Sequence, residues 1–131
     1  METAVSQASR RVKIWYRLAV VYFALGTLLG VLMGITENLS MVPVHAHVNL
    51  LGWVSLALTG MLYERFPSAL NSRLYPIHFW AYNVTLPVAM VILALVLTGH
   101  SELGPAAAIA ALFLFASIVV FATNIWRHSA R

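Results

Sequence analysis

The chain has 131 residues, of which 61% are hydrophobic and 9% are charged, and it contains no cysteine. A soluble domain usually carries about 25% charged residues, so this chain could not cover a water-facing surface. The missing cysteines exclude disulfides, thiolate metal sites and thioether-attached heme. The net charge of +4 comes from basic residues at the ends of apolar runs, which argues against nucleic acid as a partner. The composition therefore predicts one domain embedded in a lipid bilayer.

Four apolar stretches follow one another along the chain. Each is close to the ~20 residues that a helix needs to cross a ~30 Å hydrocarbon core. Backbone polar groups cannot stay unpaired in lipid, so each stretch should be a helix, and the short connections should make neighbouring helices antiparallel. The predicted fold is thus all-α: residues 1–131 form a single membrane-spanning four-helix bundle. The stretches cover roughly residues 14–35, 42–66, 74–97 and 104–126.

The basic residues predict the topology. With an even number of helices, every lysine and arginine falls on the side that carries both termini. The positive-inside rule makes that side cytoplasmic. We therefore expect a multi-pass protein of the inner (cytoplasmic) membrane with both termini in the cytoplasm. The residues concerned are Arg10, Arg11, Lys13, Arg17, Arg65, Arg73, Arg127 and Arg131.

The first stretch contains Gly26, Gly30 and Gly34 at a spacing of four. These glycines should form a smooth groove on one face of the helix. Such a groove in lipid lets another backbone approach closely, and helix packing is the interpretation we favour. The alternative is that the groove leaves room for a flat cofactor.

The second stretch carries His45 and His47, one or two turns in from the periplasmic side. Polar groups at that depth are costly and often functional, although a pair hydrogen-bonded near the headgroups is an equal alternative. Residues at i and i+2 are about 200° apart around a helix. The two side chains should therefore point to opposite sides, where they could bind two different metals but not one. The face that begins at His45 should look into the bundle because it is polar or small; it continues through Asn49, Gly52, Leu56, Thr59 and Tyr63.

The remaining histidines are weaker candidates. His78 lies at the cytoplasmic end of the third stretch, so we expect its side chain at the interface between lipid and water. We expect His100 and His128 to be solvated. Asn83 and Pro87 in the third stretch predict a kink or a hydrogen bond between helices.

The segment from Pro43 to Trp53, PVHAHVNLLGW, resembles the ligand-bearing helices of subunit I of the heme-copper oxidase superfamily. In that family a His-x-His pair on one helix serves two neighbouring hemes. The subunit has twelve helices in three four-helix sets with pseudo-threefold symmetry, and this chain resembles one third of it. The resemblance implies that His45 and His47 are axial ligands of heme iron. Since cysteine is absent, the heme would be non-covalent heme b.

The chain departs from the family in its copper site. The family holds copper with further histidines, including an adjacent pair on the next helix, whereas the middle of the third stretch, residues 86–97, has no nitrogen ligand. We therefore expect no copper and no terminal oxidase activity. A bis-histidine heme would need a second ligand from a neighbouring protomer, and the family's threefold arrangement suggests a homotrimer.

Three functions stay open at this point. The first is electron transfer through shared heme b, with an unknown redox partner such as a quinol or a cytochrome. The second is sensing or handling of nitric oxide or heme, which would require a displaceable iron ligand. The third is a structural or assembly role without a cofactor. We expect no ordinary enzyme activity, because the four acidic residues lie outside the helix centres and no nucleophile–base arrangement is visible.

Overall fold

The computed structural model describes residues 2–129, with side chains from Gln7 onward. All four main elements of this part are helices, and each is long and apolar enough to cross a membrane. The predicted all-α four-helix fold of a multi-pass membrane protein is confirmed. The helices are α1 (Glu2–Thr36), α2 (Val42–Arg65), α3 (Leu74–Leu97) and α4 (Gly104–Ser129).

The helix ends differ from the prediction in three of the four helices. The third helix has the predicted bounds, but α1 begins at Glu2, α2 ends at Arg65 and α4 continues to Ser129. The length of an apolar run in the sequence predicts only the part of a helix that lies in the hydrocarbon core. The backbone hydrogen bonds continue through glutamine, arginine and lysine, which are good helix formers, so a helix can project beyond the hydrocarbon core.

The three connections are short. Glu37, with φ 53°, and Gly99, with φ 115°, are the left-handed residues just beyond the ends of α1 and α3, a common way to stop a helix. A 3₁₀ turn at Pro67–Asn71 joins α2 to α3. We call the side that carries this turn and both chain ends the terminal side. The side that carries the connections at residues 37–41 and 98–103 is the opposite side.

The second helix is not uniform, which the sequence did not predict. It runs as an α-helix over Val42–His47, as a π-helix over Val48–Val54 and as an α-helix again over Ser55–Arg65. A π segment widens the turn and leaves backbone carbonyls displaced from their usual partners. The Tyr82 hydroxyl of α3 donates a hydrogen bond to the carbonyl of Leu51 at 2.8 Å. At Gly52 a Cβ atom would lie 2.5 Å from the ring of Tyr22, so only glycine lets α1 approach this segment so closely.

The best-packed core lies in the middle and on the terminal side of the bundle. Trp15 and His78 stack with ring centroids 5.0 Å apart, and Tyr63 packs edge-on against Phe121 at 5.4 Å. The Asn124 side chain donates to the carbonyl of Ala69 at 3.1 Å and ties α4 to the turn after α2. All four helices therefore meet in one aromatic core. Large aliphatic and aromatic side chains cover the outside, as expected of a surface that faces lipid.

Candidate functional site

His45 lies against α1. Its Nδ1 atom donates a hydrogen bond to the carbonyl oxygen of Gly26 at 2.9 Å. Its ring passes so close to Gly30 that a Cβ atom there would lie 2.8 Å from the Cε1 atom of His45. Asn49, one turn further along α2, packs against Gly26 in the same way and donates to the carbonyl of His45 at 2.9 Å. Two polar side chains of α2 thus sit on two glycines of α1.

This contact decides between the two interpretations of the glycine groove. Gly26 and Gly30 receive the side chains of Asn49 and His45, so this stretch of the groove serves helix packing and is not an open slot for a flat cofactor. Gly34 has no atom within 4 Å of a Cβ built on it, so within the single chain the packing of the groove does not extend to Gly34. The reason is geometric: Gly34 is on the last turn of α1, beyond the first residues of α2.

His47 lies on the other flank of α2. Its side chain is exposed in the single chain and lines a groove of about 370 Å³ between α2, α3 and α4. The walls are apolar and partly small, with Met90 from α3 and Ala107 and Ala111 from α4. The Nδ1 atom of His47 donates to the carbonyl of Pro43 at 2.7 Å. The predicted divergence of the two histidines is confirmed, because one contacts α1 and the other faces the groove between α3 and α4.

The two histidines share one feature that matters for ligand chemistry. A carbonyl oxygen can only accept, so each Nδ1 atom must carry the proton. In the neutral ring the Nε2 atom then holds a free lone pair, the arrangement that orients a histidine for metal binding. Among the described residues, neither Nε2 atom has a hydrogen-bond partner. Both rings are thus fixed on opposite flanks of one helix, and each has an Nε2 atom that makes no hydrogen bond.

The chemistry of the donor set limits what could bind. Within residues 2–129, no three histidine, aspartate, glutamate or cysteine side chains come together as they would around a bare metal ion. A porphyrin supplies its own four in-plane nitrogens and needs only axial ligands from the protein. Single, separated imidazoles with free Nε2 atoms therefore fit heme better than they fit a protein-caged ion.

His78 is placed differently from the prediction. It is only 1% exposed rather than interfacial, and its Nδ1 atom is hydrogen-bonded to the Tyr63 hydroxyl at 3.0 Å. Its ring stacks between Trp15 and Phe121, at 5.0 and 4.8 Å. The sequence predicted that Tyr63 lies on the inward face of α2, so the position of one of the two hydrogen-bonded residues was expected. The aromatic neighbours come from α1 and α4, and no local pattern predicts them.

The other polar expectations have mixed outcomes. His100 is exposed, as predicted, and pairs with Glu102 at 3.2 Å. His128 is half-buried rather than solvated, and its Nδ1 atom donates to the carbonyl of Asn124 at 2.7 Å. Asn83 donates to Phe79 of its own helix at 2.8 Å rather than across helices. Helix α3 continues through Pro87.

No family model, curated protein or solved structure matches this chain.

Proposed function

We propose that this chain is a b-type heme protein of the inner membrane that transfers electrons through heme shared between protomers. One observation carries the proposal. His45 and His47 present free Nε2 atoms on opposite flanks of α2, each fixed by an Nδ1 hydrogen bond to a backbone carbonyl. The resemblance of residues 43–53 to heme-ligand helices names the same two residues from their sequence pattern.

The protein residues have three tasks in this proposal. His45 and His47 would hold the iron, and the carbonyls of Gly26 and Pro43 keep their rings oriented. The apolar groove beside His47 would exclude water from a bound heme and lower the local dielectric constant there. When bound, heme supplies reversible one-electron chemistry at its iron. We place no proton transfer in this site, because its walls beside His47 are apolar.

The divergence of the two rings supports assembly as a ring. One chain offers one ligand to each of two hemes, so His45 of one protomer and His47 of the next would share a heme. Head-to-tail contacts of this kind close only under cyclic symmetry. The resemblance to a pseudo-threefold subunit makes a homotrimer the proposed ring. The proposed redox partner is a quinol or a cytochrome, and copper is not part of the proposal.

The first experiment tests the ligands. Purified protein from heme-replete cells should give a six-coordinate low-spin b-type spectrum, and His45→Ala or His47→Ala should each abolish it. His128→Ala is a control matched to His47→Ala, because His128, like His47, donates from Nδ1 to the carbonyl one turn back along its own helix. A colourless wild-type protein would rule out heme. Unchanged spectra in both ligand variants would refute the assignment of these residues.

The second experiment tests the assembly. Native mass measurement in detergent should find three chains and three hemes. A heme-loaded monomer would refute ligand sharing, whereas a dimer or tetramer with one heme per chain would refute only the number three.

Two further measurements separate the alternatives. Carbon monoxide should leave the spectrum of the reduced protein unchanged if two histidines bind the iron as proposed; a large change would favour gas sensing. A periplasmic reporter fused after Arg131 should be inactive if the basic side is cytoplasmic.

A further inference from the structure

A cavity at the start of α1 lies far from both site histidines. It has a volume of about 420 Å³ and lies between the first turns of the membrane part of α1 and the end of α2. Ala8, Val12 and Leu70 provide apolar walls, while Ser9, Lys13 and Glu64 bring polar groups. It is on the terminal side, next to the start of the apolar part of α1. The cavity therefore has a polar part that matches a lipid headgroup and an apolar part that matches the first carbons of the acyl chains.

A stripe of positive charge borders this cavity. Arg10, Lys13 and Arg17 are all exposed and have the spacing i, i+3 and i+7, which places them within about 60° on one face of α1. Lys13 belongs to both the stripe and the cavity wall. Arg11 points away from the stripe, since it donates to the carbonyl of Leu70 at 2.6 Å and lies over the ring of Tyr75.

The three cations of the stripe have no acidic partner in the described part of the chain. The contact between a basic-type side chain and a carboxylate found there joins His100 to Glu102 on the opposite side of the bundle. Glu64, the acidic residue of the cavity wall, accepts a hydrogen bond from the Tyr16 hydroxyl at 2.6 Å. That bond uses one carboxylate oxygen and leaves the other free to accept. The cavity wall itself carries one cation, Lys13, and one anion, Glu64. The excess of positive charge comes from Arg10 and Arg17 on the same stripe of α1, and one oxygen of Glu64 is a free hydrogen-bond acceptor.

We propose that this cavity is a binding site for an anionic phospholipid whose headgroup also carries hydroxyl groups. The phosphate lies on Arg10, Lys13 and Arg17, a headgroup hydroxyl donates to Glu64, and the glycerol and upper acyl carbons fill the apolar part. Basic clusters next to a membrane-spanning helix bind acidic lipids through the same electrostatics. The proposed lipid site does not involve heme, so either proposal can be refuted without affecting the other.

The test uses the full chain purified in detergent, with phosphatidylglycerol, phosphatidylethanolamine or phosphatidylcholine added and bound lipid counted by native mass spectrometry. Both ends of the bundle are accessible in detergent, so membrane topology does not enter. We expect one tightly held phosphatidylglycerol per chain. Replacing the stripe (Arg10→Gln, Lys13→Gln and Arg17→Gln together) should weaken its binding by about tenfold or more.

A matched triple variant removes the same charge from the same side: Arg65→Gln, Arg73→Gln and Arg127→Gln. It should keep the lipid. A second variant, Ser9→Leu, leaves every charge in place but fills the cavity, and it should also lose the lipid. Equal losses in the two triple variants would overturn the proposal in favour of a diffuse charge effect. Equal binding of phosphatidylethanolamine or phosphatidylcholine, or undiminished binding by Ser9→Leu, would overturn it as well.

Discussion

The two ends of this bundle are built in different ways. On the terminal side, side chains from all four helices meet: Trp15, Tyr63, His78 and Asn124 are each at most 1% exposed. On the opposite side, α2 contacts α1 through His45 on its glycine, while a groove separates it from α3 and α4 beside His47. Aromatic side chains fill the space between the helices at the terminal side, whereas a groove beside His47 separates the helices at the opposite side.

The difference separates the packed end of the bundle from the end that carries the proposed ligands. Polar groups inside a membrane protein are tolerated when they are paired, and His78 is paired with Tyr63. His47 is exposed in the single chain, and its Nε2 atom makes no hydrogen bond beside the apolar groove. The π-helix Val48–Val54 lies between the two ends, directly after His47. We therefore expect substitutions on the terminal side to lower stability more than substitutions on the opposite side.

The largest loss of stability should come from Trp15→Ala. Trp15 is fully buried and packs on His78 and edge-on to Phe79. Its removal should cost about 3 kcal/mol of unfolding free energy. Most of this is lost packing, because lipid provides no hydrophobic transfer term. Trp126→Ala is the matched control, since Trp126 is 79% exposed and should cost far less. Equal losses in detergent unfolding would contradict the closed-core description.

The Tyr63–His78 pair should give the next largest effect. His78→Phe keeps an aromatic ring between Trp15 and Phe121 but leaves the buried Tyr63 hydroxyl without its partner. An unpaired buried group costs about 1–3 kcal/mol. Tyr63→Phe combined with His78→Phe should recover part of that loss. A double-mutant cycle measures the coupling directly, and strictly additive losses would show that the 3.0 Å hydrogen bond is not energetically significant.

Gly30→Ala should affect the opposite side with a smaller loss of stability. The new methyl group would lie 2.8 Å from the His45 ring, which must then shift. We expect about 1 kcal/mol of destabilisation together with a change in the spectrum of any heme bound through His45. Gly34→Ala is the control, because a Cβ atom there meets open space. If both variants behave alike, His45 does not rest on Gly30.

His47→Ala should have the smallest effect on folding, within about 0.5 kcal/mol, because the side chain is exposed in the single chain. Heme content should nevertheless fall sharply. Thermal unfolding of the heme-free protein isolates the first effect, and pigment per chain measures the second. A large loss of stability in the heme-free protein would mean that His47 is a structural residue.

The sequence by itself determined the parts of this protein that depend on local rules. Bilayer thickness and backbone hydrogen bonding set the number of helices, and α3 has the predicted bounds, Leu74–Leu97. The divergence of His45 and His47 follows from helix geometry alone, since two residues on one helix need no third element to fix their angle. The inward face of α2 was likewise predicted, because Gly52, Leu56, Thr59 and Tyr63 are all buried.

Only the tertiary structure decided which residues meet across helices. The π-helix is contacted by Tyr82 and Tyr22, which approach α2 from two other helices. His78 is buried because Trp15 and Phe121 reach it from α1 and α4, whereas its own sequence neighbours suggested an interface. Gly26 and Gly34 look alike in sequence, yet one receives Asn49 and the other faces open space. Local periodicity fixes the direction of a side chain from its own helix axis, but what it contacts depends on the relative shift and rotation of helices far apart in the chain.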